Sequence, residues 1–126
     1  MILVIDAGNS RIKWRLTDNG QIVAEGVQLT PKALEDATLN LSDIKTPSEI
    51  RIASVAGEKI VHWLGQQLLK QFTAPIRLAQ VSSAFGELSC AYEDPQSLGV
   101  DRWLAIAAAY YQYHEPLLVI DAGSAI

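Results

Sequence analysis

Three aspartates stand where a chain concentrates chemistry. Asp6 follows the apolar run Ile2 to Ile5 and opens the stretch Asp6-Ala7-Gly8-Asn9-Ser10-Arg11-Ile12-Lys13. Asp101 lies in Leu98-Gly99-Val100-Asp101-Arg102-Trp103, and Asp121 opens Asp121-Ala122-Gly123-Ser124-Ala125-Ile126 after a second apolar run. A buried strand that ends in a carboxylate, then a Gly turn and a return strand, gathers one acid and several backbone N–H groups at one mouth. Such a mouth suits a phosphate and a metal ion. The first stretch reads also as a plain β-turn in which Gly8 and Asn9 supply backbone freedom. Neither G-x-x-x-x-G-K-[ST] nor G-x-G-x-x-G occurs in the chain.

The two ends repeat one another. Leu3-Val4-Ile5-Asp6-Ala7-Gly8 and Leu118-Val119-Ile120-Asp121-Ala122-Gly123 are identical. Buried strands share Val and Ile readily, but the same Asp-Ala-Gly followed by a small hydroxyl points to internal duplication. We therefore expect residues 1–116 to form a first domain and residues 117–126 to begin a second, duplicated one that is truncated here. Two such units facing one another would bring Asp6 and Asp121 to opposite sides of a cleft. A polyphosphate bridged by a cation fits between them. Mg²⁺ suits that arrangement, because it takes one or two carboxylates, keeps waters and draws its other ligands from phosphates. Arg11 and Lys13 share a strand face, where they either offset phosphate charge or stay solvated.

The elements that must position these groups are largely readable. Ile12, Trp14 and Leu16 alternate with Arg11, Lys13 and Arg15, the period of a strand with one buried face. Asp18-Asn19-Gly20 predicts a type I′ hairpin turn, and Ile22 to Val27 a third strand, so the chain opens as an antiparallel meander. Thr30-Pro31 reads as an N-cap and first helical residue. Leu34, Ala37, Leu41 and Ile44 then predict an amphipathic helix. A strand over 50–55 follows, then a helix over 58–72 with Val61, Leu64, Leu68 and Phe72 inward, widened by Ile60 and Leu69. A strand is expected over 76–81, irregular chain over 82–98, and a helix to about Tyr113 with Leu104, Ala107, Ala108 and Tyr111 inward. Asp101 and Arg102 fall in its first turn, where the helix dipole favours a carboxylate. A last buried strand is expected over 117–120. The class is α/β, a three-stranded antiparallel meander extended by parallel strands, with helices covering the sheet.

Composition sets the outer bounds. Of 126 residues, 49% are apolar and 19% charged, which is globular and not disordered. A net charge of −4 argues against a general nucleic-acid surface. No apolar run approaches the ~18 residues of a membrane span, and Met1-Ile2-Leu3 lacks the basic start of a signal peptide. With Cys90 the single cysteine, no disulfide framework or Cys-based metal site is expected, and a cytoplasmic setting fits. His62 and His114 read as surface residues.

Taken together, the motifs resemble type III pantothenate kinases of the actin-like (ribonuclease H-like) ATPase superfamily, in their N-terminal half. The family's D-x-G-N-[ST]-x-x-[KR] is matched by Asp6 to Lys13, its G-x-D-R by Gly99 to Arg102, and its D-x-G-T-A by Asp121 to Ala125 with Ser124 for Thr. The resemblance implies ATP-dependent phosphorylation of pantothenate, the opening step of coenzyme A synthesis. It implies that Asp101 faces the accepting hydroxyl as base, and that Tyr92, Gly99, Val100 and Arg102 line the pantothenate pocket. It places ATP on Asp6, Ala7, Gly8, Asn9, Ser10, Arg11, Ile12, Lys13, Gly123 and Ser124. Mg²⁺ would be held with Asp6, and K⁺ or NH₄⁺ with Asp121, in a cytoplasmic homodimer. Arg102 would clamp the substrate carboxylate or pair with an acid such as Glu93. Asp101 otherwise reads as a carboxylate that merely stabilises its helix. The alternative function is a non-catalytic, nucleotide-binding accessory relative, against which the intact Asp6, Asp101 and Asp121 argue.

Overall fold

A computed structural model of the chain describes residues 1–41 and 44–122. It divides into two compact units, Met1–Ala79 and Gln80–Ile126.

The first unit is built on a five-stranded mixed sheet. Strands β1 (Ile2–Ala7), β2 (Arg11–Asp18) and β3 (Gln21–Leu29) form the expected antiparallel meander. Asn19 and Gly20 both have positive φ, 48° and 80°, as a type I′ turn requires. Strand β4 (Glu49–Ser54) lies parallel to β1, and β5 (Ile76–Leu78) parallel to β4, giving the order β3-β2-β1-β4-β5. Helix α1 (Glu58–Gln71) makes the crossover between β4 and β5. Strand β5 is shorter than the 76–81 expected, although the Ala79 N–H still donates to the Ile52 carbonyl at 2.7 Å.

One face of the sheet is closed. Leu3, Ile5 and Ala7 of β1, Ile12, Trp14 and Leu16 of β2, and Ile50 and Ile52 of β4 are all buried. Ile60, Trp63, Leu64 and Leu68 of α1 join them in one core. The helix stripe is therefore rotated from the expected one: Leu69 is exposed, Val61 half-buried, and Trp63 and Gln67 point inward. Between Leu16 and Thr17 the β2–β3 register shifts by one, leaving Val23 as an extra residue, a β-bulge. That shift brings Gly26 beneath Trp14.

The helix expected from Thr30 to Ile44 does not form; the described residues of that stretch are irregular. Leu39 and Leu41 are buried, and Leu34, Ala37 and Ile44 pack against the core, so the apolar spacing is used without a helix. Backbone groups there bond to side chains from other elements. Trp63 Nε1 donates to the Ala37 carbonyl, the Leu39 N–H to Gln67 Oε1 at 3.3 Å, and Gln28 serves both Thr38 and Asn40. These partners lie ten or more residues away in sequence and replace the bonds a helix would make within itself. Gln67→Leu is expected to leave the Leu39 N–H unpaired and cost about 1–3 kcal/mol. A urea-unfolding midpoint equal to that of the parent protein would contradict this.

The second unit carries a small hairpin, β6 (Ala84–Phe85) and β7 (Leu88–Ser89), a 3₁₀ turn over Pro95–Ser97, and helix α2 (Val100–Tyr113). The irregular region is thus partly ordered. Its ends are tied where Gln96 Nε2 donates to the Val81 carbonyl at 3.0 Å. The tip is held by α2: Tyr111 Oη accepts from the Glu87 N–H and donates to the Phe85 carbonyl, and the Tyr110 hydroxyl donates to Glu87 at 2.7 Å. That last bond pushes the Tyr110 phenol pKa up. The buried residues of α2 are Val100, Trp103 and Ala107; Leu104, Ala108 and Tyr111 are exposed, against expectation, because Tyr111 serves the hairpin. Leu117 to Ile120 form no strand and are exposed, which corrects the expected buried strand. Among the described residues no strand lies beside them to take up their backbone hydrogen bonds.

Candidate functional site

The turn between β1 and β2 is the best-defined polar feature of the first unit. Gly8 donates its N–H to the Arg11 carbonyl at 2.9 Å, so that amide is spent on closing the turn. Gly8 and Asn9 do not adopt positive φ, so the expected backbone freedom is not what the turn uses. A Cβ on Gly8 would sit 3.1 Å from the Arg11 carbonyl oxygen; close approach is the reason for glycine here. Asn9 and Ser10 are exposed at the tip.

Strand alternation then sorts the remaining residues. Asp6, Arg11 and Lys13 project from the open face of the sheet, and all are exposed. Asp6 lies directly opposite Lys13 on β2, and beside Ala53 on β4. The sheet thus places a carboxylate and an ammonium next to each other at the strand ends, with Arg11 two residues along on the same side. Ala7 and Ile12 are fully buried on the closed face, so only their backbone can meet a ligand.

A cleft of about 460 Å³ adjoins the turn, lined by Asn9, Ser10, Thr30, Lys32, Ala56 and Ile60 among others. Thr30 and Lys32 were not among the expected site residues. A signal for Thr30 exists: folding the meander on Asn19-Gly20 brings the end of β3 beside the turn, and the bulge decides that Thr30 faces Ser10. Reading Thr30-Pro31 as a helix cap concealed it.

In the second unit the G-x-D-R stretch starts α2. Gly99 is the N-cap residue, and its carbonyl accepts from the Trp103 N–H at 3.1 Å. Val100 is buried, which anchors the first turn. Asp101 is half-buried, and its Oδ1 accepts from the Arg102 N–H at 2.8 Å. Arg102 is exposed and makes no ion pair among the described residues, so the expected alternative partner Glu93 does not hold it. Tyr92 is exposed on the loop before the 3₁₀ turn, whose start is capped by Asp94 accepting from the Gln96 N–H.

Asp121 is exposed in irregular chain. Gly123 and Ser124 lie outside the described residues, as does Ala125 of the same match. No group of three or more His, Cys, Asp or Glu converges on a metal position among the described residues.

Known proteins resemble the chain along its length. The family model described as type III pantothenate kinase matches residues 2–126. Relatives named type III pantothenate kinase include one from Hahella chejuensis, 36% identical over 98% of this chain and 50% of its own length. Those from Pseudomonas syringae pv. syringae and Teredinibacter turnerae are each 38% identical over 100% of this chain and 51% of theirs. The chain spans about half the length of the curated relatives it matches. The match takes in both the β1–β2 turn and the start of α2, and on it the chain belongs to the type III pantothenate kinase family.

Proposed function

We propose that the full-length protein transfers phosphate from ATP to the terminal hydroxyl of pantothenate, the first step of coenzyme A synthesis. The observation that carries this reading is the family match across residues 2–126, which includes every motif residue from Asp6 to Ala125. The fold proposed is actin-like, supported by the strand order β3-β2-β1-β4-β5 with β1 and β4 parallel. Residues 1–116 would form its first domain and 117–126 begin the second.

The division of labour follows from the chemistry. Phosphoryl transfer asks a protein mainly to position groups and to stabilise charge. The turn from Ala7 to Ser10, with Arg11 and Lys13 beside it, would take the ATP phosphates, and Gly123 and Ser124 would meet ATP from the second domain. Asp101 would orient the pantothenate hydroxyl and accept its proton, while Arg102 engages the substrate carboxylate and Tyr92, Gly99 and Val100 bound the pocket. A weak base is adequate, since a loose transition state needs little proton removal before the phosphoryl group moves.

The exposed Asp6 suits Mg²⁺: one carboxylate with phosphate oxygens and waters is the donor set that ion prefers. When bound it would neutralise charge on the phosphates. Asp121 would hold K⁺ or NH₄⁺. A cytoplasmic homodimer is part of the same proposal, and no helix among the described residues is long and apolar enough to cross a membrane.

Incubation of the full-length protein with ATP, pantothenate, Mg²⁺ and K⁺ should yield 4′-phosphopantothenate. Residues 1–126 alone should yield none, because half of the nucleotide site would be missing. Nucleotide binding without turnover by the full-length protein would favour the accessory reading; turnover by the shorter chain would overturn the two-domain site.

A further inference from the structure

We propose that Thr30 is a positioning residue for nucleotide: it fixes the peptide orientation of the turn that receives phosphate. The proposal rests on the nucleotide-binding part of the function above. Thr30 follows directly after β3, and it contacts the turn twice. Its hydroxyl donates to the Gly8 carbonyl at 2.7 Å, and its N–H donates to the Ser10 carbonyl at 3.0 Å.

Those carbonyls matter because each peptide has two ends. In a trans peptide the C=O and the following N–H point in opposite directions. Drawing the Gly8 carbonyl toward Thr30 therefore turns the Asn9 N–H away from Thr30, at the exposed tip. The neighbouring carbonyls are held as well: Ala7 accepts from the Val55 N–H at 3.1 Å, and Arg11 accepts from the Gly8 N–H. Carbonyl oxygens repel an anion as N–H groups attract it, so engaging a carbonyl of the turn within the protein favours a phosphate at its mouth. The Gly8 carbonyl is the one held by a side chain, and Thr30 supplies that side chain.

The sequence explains why Thr30 stays in place. Pro31 follows it, and a residue before proline is pushed toward extended conformations. Thr30 thus continues the line of β3 and keeps its N–H facing Ser10. The bulge at Val23 sets the register; without it Leu29 would stand opposite Ser10, with no hydroxyl to offer.

The test is equilibrium ATP binding, with Mg²⁺, by full-length Thr30→Val and Thr30→Ser. Valine keeps the shape and loses the donor; serine keeps the donor. Thr30→Val should weaken ATP binding about tenfold, the usual consequence of one lost hydrogen bond, and Thr30→Ser should bind within about twofold of the parent protein. In turnover, KM for ATP should rise and KM for pantothenate stay unchanged. Parent-like ATP binding by Thr30→Val overturns the proposal, as does an equal rise in both KM values. Should Thr30→Val fail to fold, Thr30→Ser decides alone: tenfold weaker binding would assign the effect to the methyl group and overturn the proposal. Binding needs no acceptor, so a protein that binds ATP yet ignores pantothenate would refute the kinase function and leave the role of Thr30 measurable.

Discussion

Asp101→Asn in the full-length protein is expected to lower turnover on pantothenate by about 10²–10⁴-fold while ATP binding persists. That range corresponds to about 3–5 kcal/mol of lost transition-state stabilisation. The amide keeps an oxygen that can accept from the Arg102 N–H, so the first turn of α2 should survive the change. It removes the negative charge and the ability to take a proton from the accepting hydroxyl. A carboxylate that served only its helix would show the reverse pattern: a stability loss of about 0.3–1 kcal/mol from the weakened helix-dipole interaction and normal turnover. Melting temperature and single-turnover rate, measured on the same variant, separate the two roles. Parent-like turnover would remove Asp101 from the reaction.

Gly26→Ala is expected to destabilise the first unit. A Cβ at that position would lie 2.6 Å from Cε2 and Cζ2 of Trp14 and 2.8 Å from its Nε1. Trp14 is 8% exposed and held in the core, so the indole cannot swing aside. Overpacking of this kind costs about 1–3 kcal/mol, against a gain of roughly 0.5 kcal/mol from replacing glycine within a strand. Each net kcal/mol should lower the melting temperature by about 4–8 °C in a unit of this size. The clash can be isolated by repeating the change in a Trp14→Leu background, where it should cost far less. Equal losses in both backgrounds would place the cause elsewhere.

The sequence carried the meander clearly, because Ile12, Trp14 and Leu16 alternate without interruption and Asn19-Gly20 admits few other turns. It carried α1 and α2 as elements but not their inward faces. Both helices bury tryptophans, Trp63 and Trp103, that the aliphatic stripes left out. The segment after β3 misled for a different reason. Spacings of three and four suit a helix, yet its backbone found acceptors and donors on Gln28, Trp63, Gln67 and Gln71, which are distant in sequence. No local pattern reports such partners. The same misreading hid Thr30, whose hydroxyl caps a carbonyl of the turn instead of a helix. Of the candidate site residues, Asp6 and Lys13 in the first unit and Asp101 in the second stood out in the sequence as types at recognisable spacings. That Ala7, Ile12 and Val100 turn their side chains inward was legible only from strand alternation and helix phase.

Asp6, on a strand of the first unit flanked by two hydrogen-bonded neighbours, and Tyr92, on a loop of the second, sit on backbones of different stiffness. A carboxylate on a central strand inherits the rigidity of the sheet, and moving it means deforming three strands together. Loop side chains move with backbone that tolerates substitution and insertion. On the proposed division of labour, selection or redesign for a different acceptor would find its freedom in residues 82–98. The nucleotide half would remain nearly fixed. Under the proposed roles, acceptor choice would be adjustable without retuning the nucleotide side.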